Sequence, residues 1–253
     1  MDLVVQDTPE AVAECAAQHV ASRVLALPSA HLGLATGATP HGVYQRLTNA
    51  HQRGMLPLSE VRYFMLDEYV GIDTKEPTSF QNVLRRELLS PVGAEPHSLE
   101  ILDGNAADLS AEAERFEEAL RSSGGIDLQI LGIGTNGHIG FNEPGSSFTS
   151  RTRMVELHEE TVQSNSRYFD SPEDVPRKAL SQGLATIFEA RSILLLATGD
   201  SKARAISSMV ESPSSPSNPA SILQGHPDVT VIMDAAAASR LRSAQSAISK
   251  VSA

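Results

Sequence analysis

Short apolar runs alternate along this chain with stretches of helical period, and few folds accept that rhythm. Leu3-Val4-Val5, His31 to Ala35, Val61 to Leu66, Asp127 to Leu131, Ser192 to Ala197 and Val229 to Met233 read as strands. Thr8-Pro9-Glu10 supplies the N-cap, N1 proline and first-turn acid of a helix running to about Leu27, and Thr39-Pro40 opens the next helix with the same chemistry. Leu109 to about Ser122 is helical, with Ala111, Phe116 and Leu120 as apolar positions. Strands separated by helices pair in parallel, with the crossovers covering the sheet. The expected fold is therefore α/β, a Rossmann-like, mostly parallel sheet with helices on both faces. A chain of 253 residues with 41% hydrophobic content can bury one such core, so 1–253 is expected to be a single domain.

Two stretches break the rhythm. Residues 146–177 are polar, Arg-rich and weakly periodic, which reads either as a lid-like excursion over a site or as a pair of solvent-facing short helices. Ser212 to Pro219 is too proline-rich for a helix or strand interior and reads as a surface loop. The formal charge of −11 repels phosphodiester backbones and anionic lipid, so neither nucleic acid nor membrane is an expected partner. No apolar run reaches membrane-spanning length and the N-terminus lacks a secretory pattern, so cytoplasmic residence is the expectation. The single cysteine, Cys15, cannot form an internal disulfide and reads as a small core residue. Monomer and homo-oligomer both remain open.

Ligands of an open parallel sheet bind beyond the carboxyl ends of its strands, and four clusters fall there. Thr36-Gly37-Ala38-Thr39 joins a strand to a helix with small residues whose N–H groups suit a phosphate. It lacks both the Walker lysine and the three glycines of a dinucleotide site, so neither ATP nor NAD is implied. Thr198-Gly199-Asp200-Ser201-Lys202 repeats the pattern, with Lys202 in a first helical turn where a cation needs an anionic partner. Two such loops in one sheet favour phosphate over a mere turn. Asp67-Glu68 follows a buried strand directly, and side-chain alternation sends the two acids different ways, which reads either as one facing a pocket as general base or as a pair that simply begins a loop or caps a helix. The fourth cluster is Gly134 to Glu143. Of eight histidines, His138 alone is enclosed by a Gly-rich turn at a strand end, with Glu143 placed to hold its tautomer. No second histidine or cysteine stands at zinc-ligand spacing, and Ser146 and Ser147 lie in no nucleophile elbow.

These segments resemble the motifs of the glucosamine-6-phosphate deaminase family. The resemblance rests on Leu34 to Pro40, Leu66 to Gly71, Gly134 to Phe148, Ser150 to Arg153, Asn165 to Phe169 and Thr198 to Ala203, in the family's order along nearly the whole chain. It implies isomerisation of an amino-sugar phosphate coupled to its deamination, in amino-sugar catabolism, with neither metal nor organic cofactor. It implies Asp67 as the base that moves the C2 proton toward C1. His138 is implied as the ring-opening acid/base, with Asn136 and Glu143 beside it, and Thr36, Gly37, Ala38, Thr39, Arg167 and Lys202 as the phosphate site. A small sugar phosphate is the implied partner.

Two departures stand out. Some members carry Asp at the position of Asn136, whose amide can hold a hydrogen bond but not a charge. Members activated by N-acetylglucosamine 6-phosphate carry a basic residue where this chain has Val155, so Arg151, Arg153, Ser146 and Ser147 are expected to give weak or no activation. The rival readings are a 6-phosphogluconolactonase-like hydrolase, which typically lacks the Phe141-Asn142-Glu143-Pro144 continuation, and a sugar-phosphate-sensing domain, for which a catalytic set would be superfluous.

Overall fold

The computed structural model describes residues 1–242. Residues 243–253 of the expected domain lie outside the described part. The elements, in chain order, are β1 (Asp2–Gln6), α1 (Pro9–Ala26), β2 (His31–Leu34), α2 (Ala38–Gln52), β3 (Arg62–Met65), β4 (Asp67–Tyr69), α3 (Phe80–Leu84), β5 (Leu99–Glu100) and α4 (Leu109–Ser123). They continue with β6 (Leu128–Gly132), β7 (Arg153–Glu156), α5 (Glu159–Asn165), β8 (Lys178–Ser181), α6 (Leu184–Phe188), β9 (Ile193–Ala197), α7 (Ala203–Glu211) and β10 (Val229–Asp234). Seven strands form one sheet in the order β1-β10-β9-β6-β2-β3-β5, every pairing parallel.

Side-chain alternation splits this sheet between two cores. Along β9, Ile193, Leu195 and Ala197 join α4, α6 and α7, whereas Leu194 and Leu196 join α1 and α2. Both faces are thus covered, as parallel strands require. Thr8 caps α1 as expected, its hydroxyl accepting from the Ala11 N–H at 3.2 Å. In α4 the inward face is Ala113, Phe116 and Leu120; Ala111 is exposed, because Asp108 caps the helix and sets its phase. Cys15 packs, partly buried, against the α1/α2 core.

The Thr39-Pro40 opening is corrected. Helix α2 starts at Ala38, with Gly37 as N-cap at φ 117° and no side-chain cap. The Thr39 hydroxyl instead meets that of Thr198 at 3.0 Å, joining the two Thr-Gly loops.

A second, antiparallel sheet, β4-β8-β7, was not legible in the sequence. The chain passes from β3 into β4 through the single residue Leu66, so Asp67-Glu68-Tyr69 is a short strand rather than the start of a loop. The excursion from 146 to 177 is real, but it contains β7 as well as α5. Its Leu157, Val162 and Val175 join Tyr69, Ile72, Phe141 and Ala179 in a small third core.

Candidate active site

Beyond β2 the chain moves toward β3, and beyond β6 toward β9, so neighbouring connections diverge between β2 and β6. Such a switch point opens a crevice at the strand ends. The loops after β2, β3, β6 and β9 enclose a cavity of about 650 Å³ there. Thr36, Gly37, Ala38, Thr39, Asp67, His138, Arg167 and Lys202 all line it, while Asn136 and Glu143 reach it only through their contacts with His138.

The loop after β6 is wound tightly. Gly134 N–H donates to the His138 carbonyl at 2.9 Å, and Gly137 N–H to the Gly134 carbonyl at 3.1 Å. Two glycines make this possible. A Cβ on Gly134 would stand 2.3 Å from His138 Cε1, and Gly137 combines φ +87° with a would-be Cβ 2.3 Å from Asn218 Oδ1. Asn218 belongs to the Ser/Pro-rich stretch, which the sequence reading placed simply at the surface. Part of it packs on this loop instead, through Gly145 N–H to Pro216 O at 2.8 Å and Ala220 N–H to Gly137 O at 2.9 Å.

Glu143 is the electrostatic centre of the loop. It is 5% exposed, and its Oε2 accepts from Asn136 Nδ2 at 2.9 Å and faces His138 Nδ1 at 3.4 Å. The latter contact is an ion-pair approach too poorly aligned to be a hydrogen bond, and it leaves Nδ1 without one. Thr161 donates to Oε1, and His158 Nδ1 lies 3.7 Å from Oε2. Burial by itself would push the Glu143 carboxyl up, but the nearby His138 imidazole and the hydrogen bonds from Thr161 and Asn136 outweigh it and hold the group below the usual carboxylate range. Glu143 is thus an anion throughout the neutral range. Asn136 holds hydrogen bonds and no charge, as its side chain allows. Its Oδ1 accepts from the His138 backbone N–H at 3.1 Å and its amide holds Glu143, so it steadies the loop and the carboxylate rather than the ring.

The two adjacent acids diverge as alternation requires. Glu68 turns away from the cavity and is saturated, accepting from Tyr69 N–H at 2.9 Å, Phe80 N–H at 3.0 Å, Ser79 Oγ at 2.9 Å and Gln81 N–H at 2.9 Å. It thereby anchors the first turn of α3. Asp67 faces the cavity at 8% exposure. Burial, reinforced by the Glu68 charge, pushes its carboxyl from 3.8 up to about 8. A carboxylate of raised proton affinity is a far stronger base than an ordinary aspartate, which suits proton abstraction from carbon.

Lys202 and Arg167 form the opposite electrostatic feature. Lys202 ends a 3-10 turn and begins α7, and Arg167 follows α5 with its guanidinium 4.9 Å above the Tyr168 ring. Burial and then the Arg167 charge lower the Lys202 ammonium, against a smaller opposing effect of Glu160. Two cations that repel one another across a cavity are relieved by a bound dianion. Arg151 has other work: it bonds Glu117 and, at 2.5 Å, Glu189. Arg153 donates to Asn142 Oδ1 at 2.9 Å and Ser146 Oγ at 3.4 Å.

His158, Glu160 and Thr161 were not singled out from the sequence. Nothing local marks them, since their partners Thr135 and Glu143 stand 15 or more residues away in the chain.

Fold and cavity together define a parallel-sheet α/β enzyme whose site gathers an acid, an imidazole and two cations. Residues 2–232 match the model of the glucosamine-6-phosphate isomerases/6-phosphogluconolactonase family, and the chain belongs to that family. It is 50% identical over 241 residues to a glucosamine-6-phosphate deaminase of Corynebacterium aurimucosum, covering 95% of this chain and 94% of the relative. It is 49% identical to the deaminase of Halothermothrix orenii, covering 95% and 100%. A solved structure of a monomeric glucosamine-6-phosphate deaminase superposes with TM-score 0.93 at 44% identity over 95% of this chain and 100% of the other. The 6-phosphogluconolactonase of Trypanosoma brucei shares the fold, with TM-score 0.76 at 22% identity over 95% and 98%.

Proposed function

We propose that this enzyme converts glucosamine 6-phosphate and water to fructose 6-phosphate and ammonia. The observation that carries the reading is one cavity shared by a high-affinity carboxyl, an imidazole backed by a permanent anion, and two mutually repelling cations. Lys202, Arg167 and the Thr36–Thr39 loop hold the phosphate, remote from the reacting carbons, and so fix the sugar's orientation. His138 opens the ring by taking the C1 hydroxyl proton and returning one to the ring oxygen, with Glu143 stabilising the imidazolium between the two steps. Asp67 then removes the C2 proton and delivers it to C1, passing through an enolamine to a C2 iminium. Water adds to C2, the nitrogen leaves as ammonia, and the C2 ketone remains. Every group in this scheme comes from one chain, and the described part of that chain, residues 1–242, acts as one domain.

The deaminases among the relatives favour this over lactone hydrolysis, because the 6-phosphogluconolactonase likeness extends to the fold alone. The test is a coupled assay for ammonia and fructose 6-phosphate, run with and without chelator. Stoichiometric release of both, undiminished by chelator, is expected. No ammonia at saturating substrate rejects the reading.

A further inference from the structure

The segment that carries Arg167 also grips the catalytic loop. Glu160 accepts from Thr135 Oγ1 at 2.8 Å, Thr161 donates to Glu143, and His158 Nδ1 stands 3.7 Å from the other oxygen of the same carboxylate. These three residues sit at the start of α5. From α5 the chain passes directly through a 3-10 turn, Ser166–Tyr168, that contains Arg167. The segment is held as a unit. Val162 is buried in the small core with Tyr69 and Phe141, and Asn165 Nδ2 donates to the Tyr69 hydroxyl at 2.9 Å. One end of a short rigid element therefore carries a cation of the proposed phosphate site, and the other end holds the carboxylate behind His138.

We infer that Thr161 and His158 are positioning residues through which an occupied phosphate site fixes Glu143 and, with it, the His138 imidazole. The inference rests on the deaminase reading and on Arg167 and Lys202 as the phosphate anchor. Its physical motive is the unaligned 3.4 Å contact between His138 and Glu143, which falls short of a hydrogen bond. A dianion drawn against Arg167 shifts α5, and Thr161 carries that shift to Glu143. The phosphate then does more than anchor: part of its binding energy is spent on assembling the ring-opening pair.

The experiment separates the phosphate from the sugar. Glucosamine is supplied without its phosphate, and phosphite dianion is added in trans. In the native enzyme, phosphite is expected to accelerate ammonia release from glucosamine by about tenfold or more. In the double variant Thr161→Val/His158→Ala, the acceleration falls by about tenfold, while phosphite still competes with glucosamine 6-phosphate at an unchanged inhibition constant. With glucosamine 6-phosphate itself, the variant loses about tenfold in kcat with KM within about twofold. His158→Ala alone, at a half-exposed position, gives a smaller loss of the same kind and serves if the double variant does not fold. Native enzyme that turns over glucosamine 6-phosphate yet ignores phosphite overturns the inference. So does a variant activated as strongly as the native enzyme, or one altered in KM alone. If glucosamine 6-phosphate itself yields no ammonia, the deaminase reading has failed and the inference with it.

Discussion

Asp67→Asn should cost the enzyme its reaction and make the protein more stable, by an amount that depends on pH. In the unfolded chain Asp67 ionises near 3.8, whereas in the folded protein burial and Glu68 hold its carboxyl at about 8. A raised folded-state value means the group favours the fold below the unfolded value, and that contribution is lost as pH rises toward the folded value. The penalty grows by about 1.4 kcal/mol for each pH unit in this window, reaching about 4 kcal/mol at pH 7 and levelling off above about pH 8. Asparagine copies the shape of the protonated acid and never ionises. Urea unfolding of both proteins at pH 4, 5.5, 7 and 8.5 measures the difference. The midpoints should nearly coincide at pH 4. By pH 7 the variant should gain at least about 2 kcal/mol, after allowance for water entering the cavity beside the carboxylate. A gap that does not change with pH refutes the electrostatic account, and no gap at all refutes the strained ionisation. Exchange of the C2 proton with solvent should be abolished in the same variant, with substrate binding largely intact.

Because the base works only when ionised, kcat/KM should climb with pH and level off above about 8, and a flat profile from pH 5.5 to 8.5 would contradict this. Lys202→Ala should raise KM by about a hundredfold, since a charge-assisted contact contributes about 3 kcal/mol, and a large loss in kcat at normal KM would contradict that assignment. Arg167→Ala should raise KM similarly and lower kcat as well, because Arg167 is tied through α5 to the carboxylate behind His138. Gly137→Ala combines a left-handed backbone with a collision at Asn218, so it should destabilise the fold by about 2 kcal/mol and lower kcat about a hundredfold, seen in urea midpoints and steady-state rates. N-acetylglucosamine 6-phosphate should leave the substrate curve hyperbolic; conversion of a sigmoidal curve to a hyperbolic one by this compound would show that Arg153 and its neighbours bind it after all.

Much of this was legible because its causes are local. Helix caps, apolar alternation and Gly-rich strand ends act over a few residues, so the parallel sheet and the placement of Asp67, His138 and the two Thr-Gly loops follow from reading along the chain. What escaped has its causes at long range. The strand Lys178–Ser181 has only two apolar residues, and it is a strand because Asp67–Tyr69 and Arg153–Glu156 flank it in space. The resemblance set Asn136 beside His138, but that its amide donates to Glu143 while its Oδ1 accepts from the His138 N–H depends on the fold of the turn at Gly137. The contacts of His158 and Thr161 depend on where the excursion lands, which no local pattern encodes.

The seam at Leu66, where one strand leaves the parallel sheet and the next joins the antiparallel one, bears on how such an enzyme can change. Asp67 is positioned there by strand pairing on both sides rather than by a loop: Leu66 N–H donates to Leu34 O at 3.1 Å and Gln182 N–H to Leu66 O at 2.9 Å, while Asp67 stands in register with Ser181. The proposed base is therefore tied to strands paired on both sides, and the proposed phosphate contact at Arg167 to a peripheral segment. Mutational drift in that segment would change the grip on an anion and, through Thr161 and His158, the carboxylate behind His138, while leaving the strand-paired Asp67 in place, so a search for altered activity should begin at the rim and spare the seam.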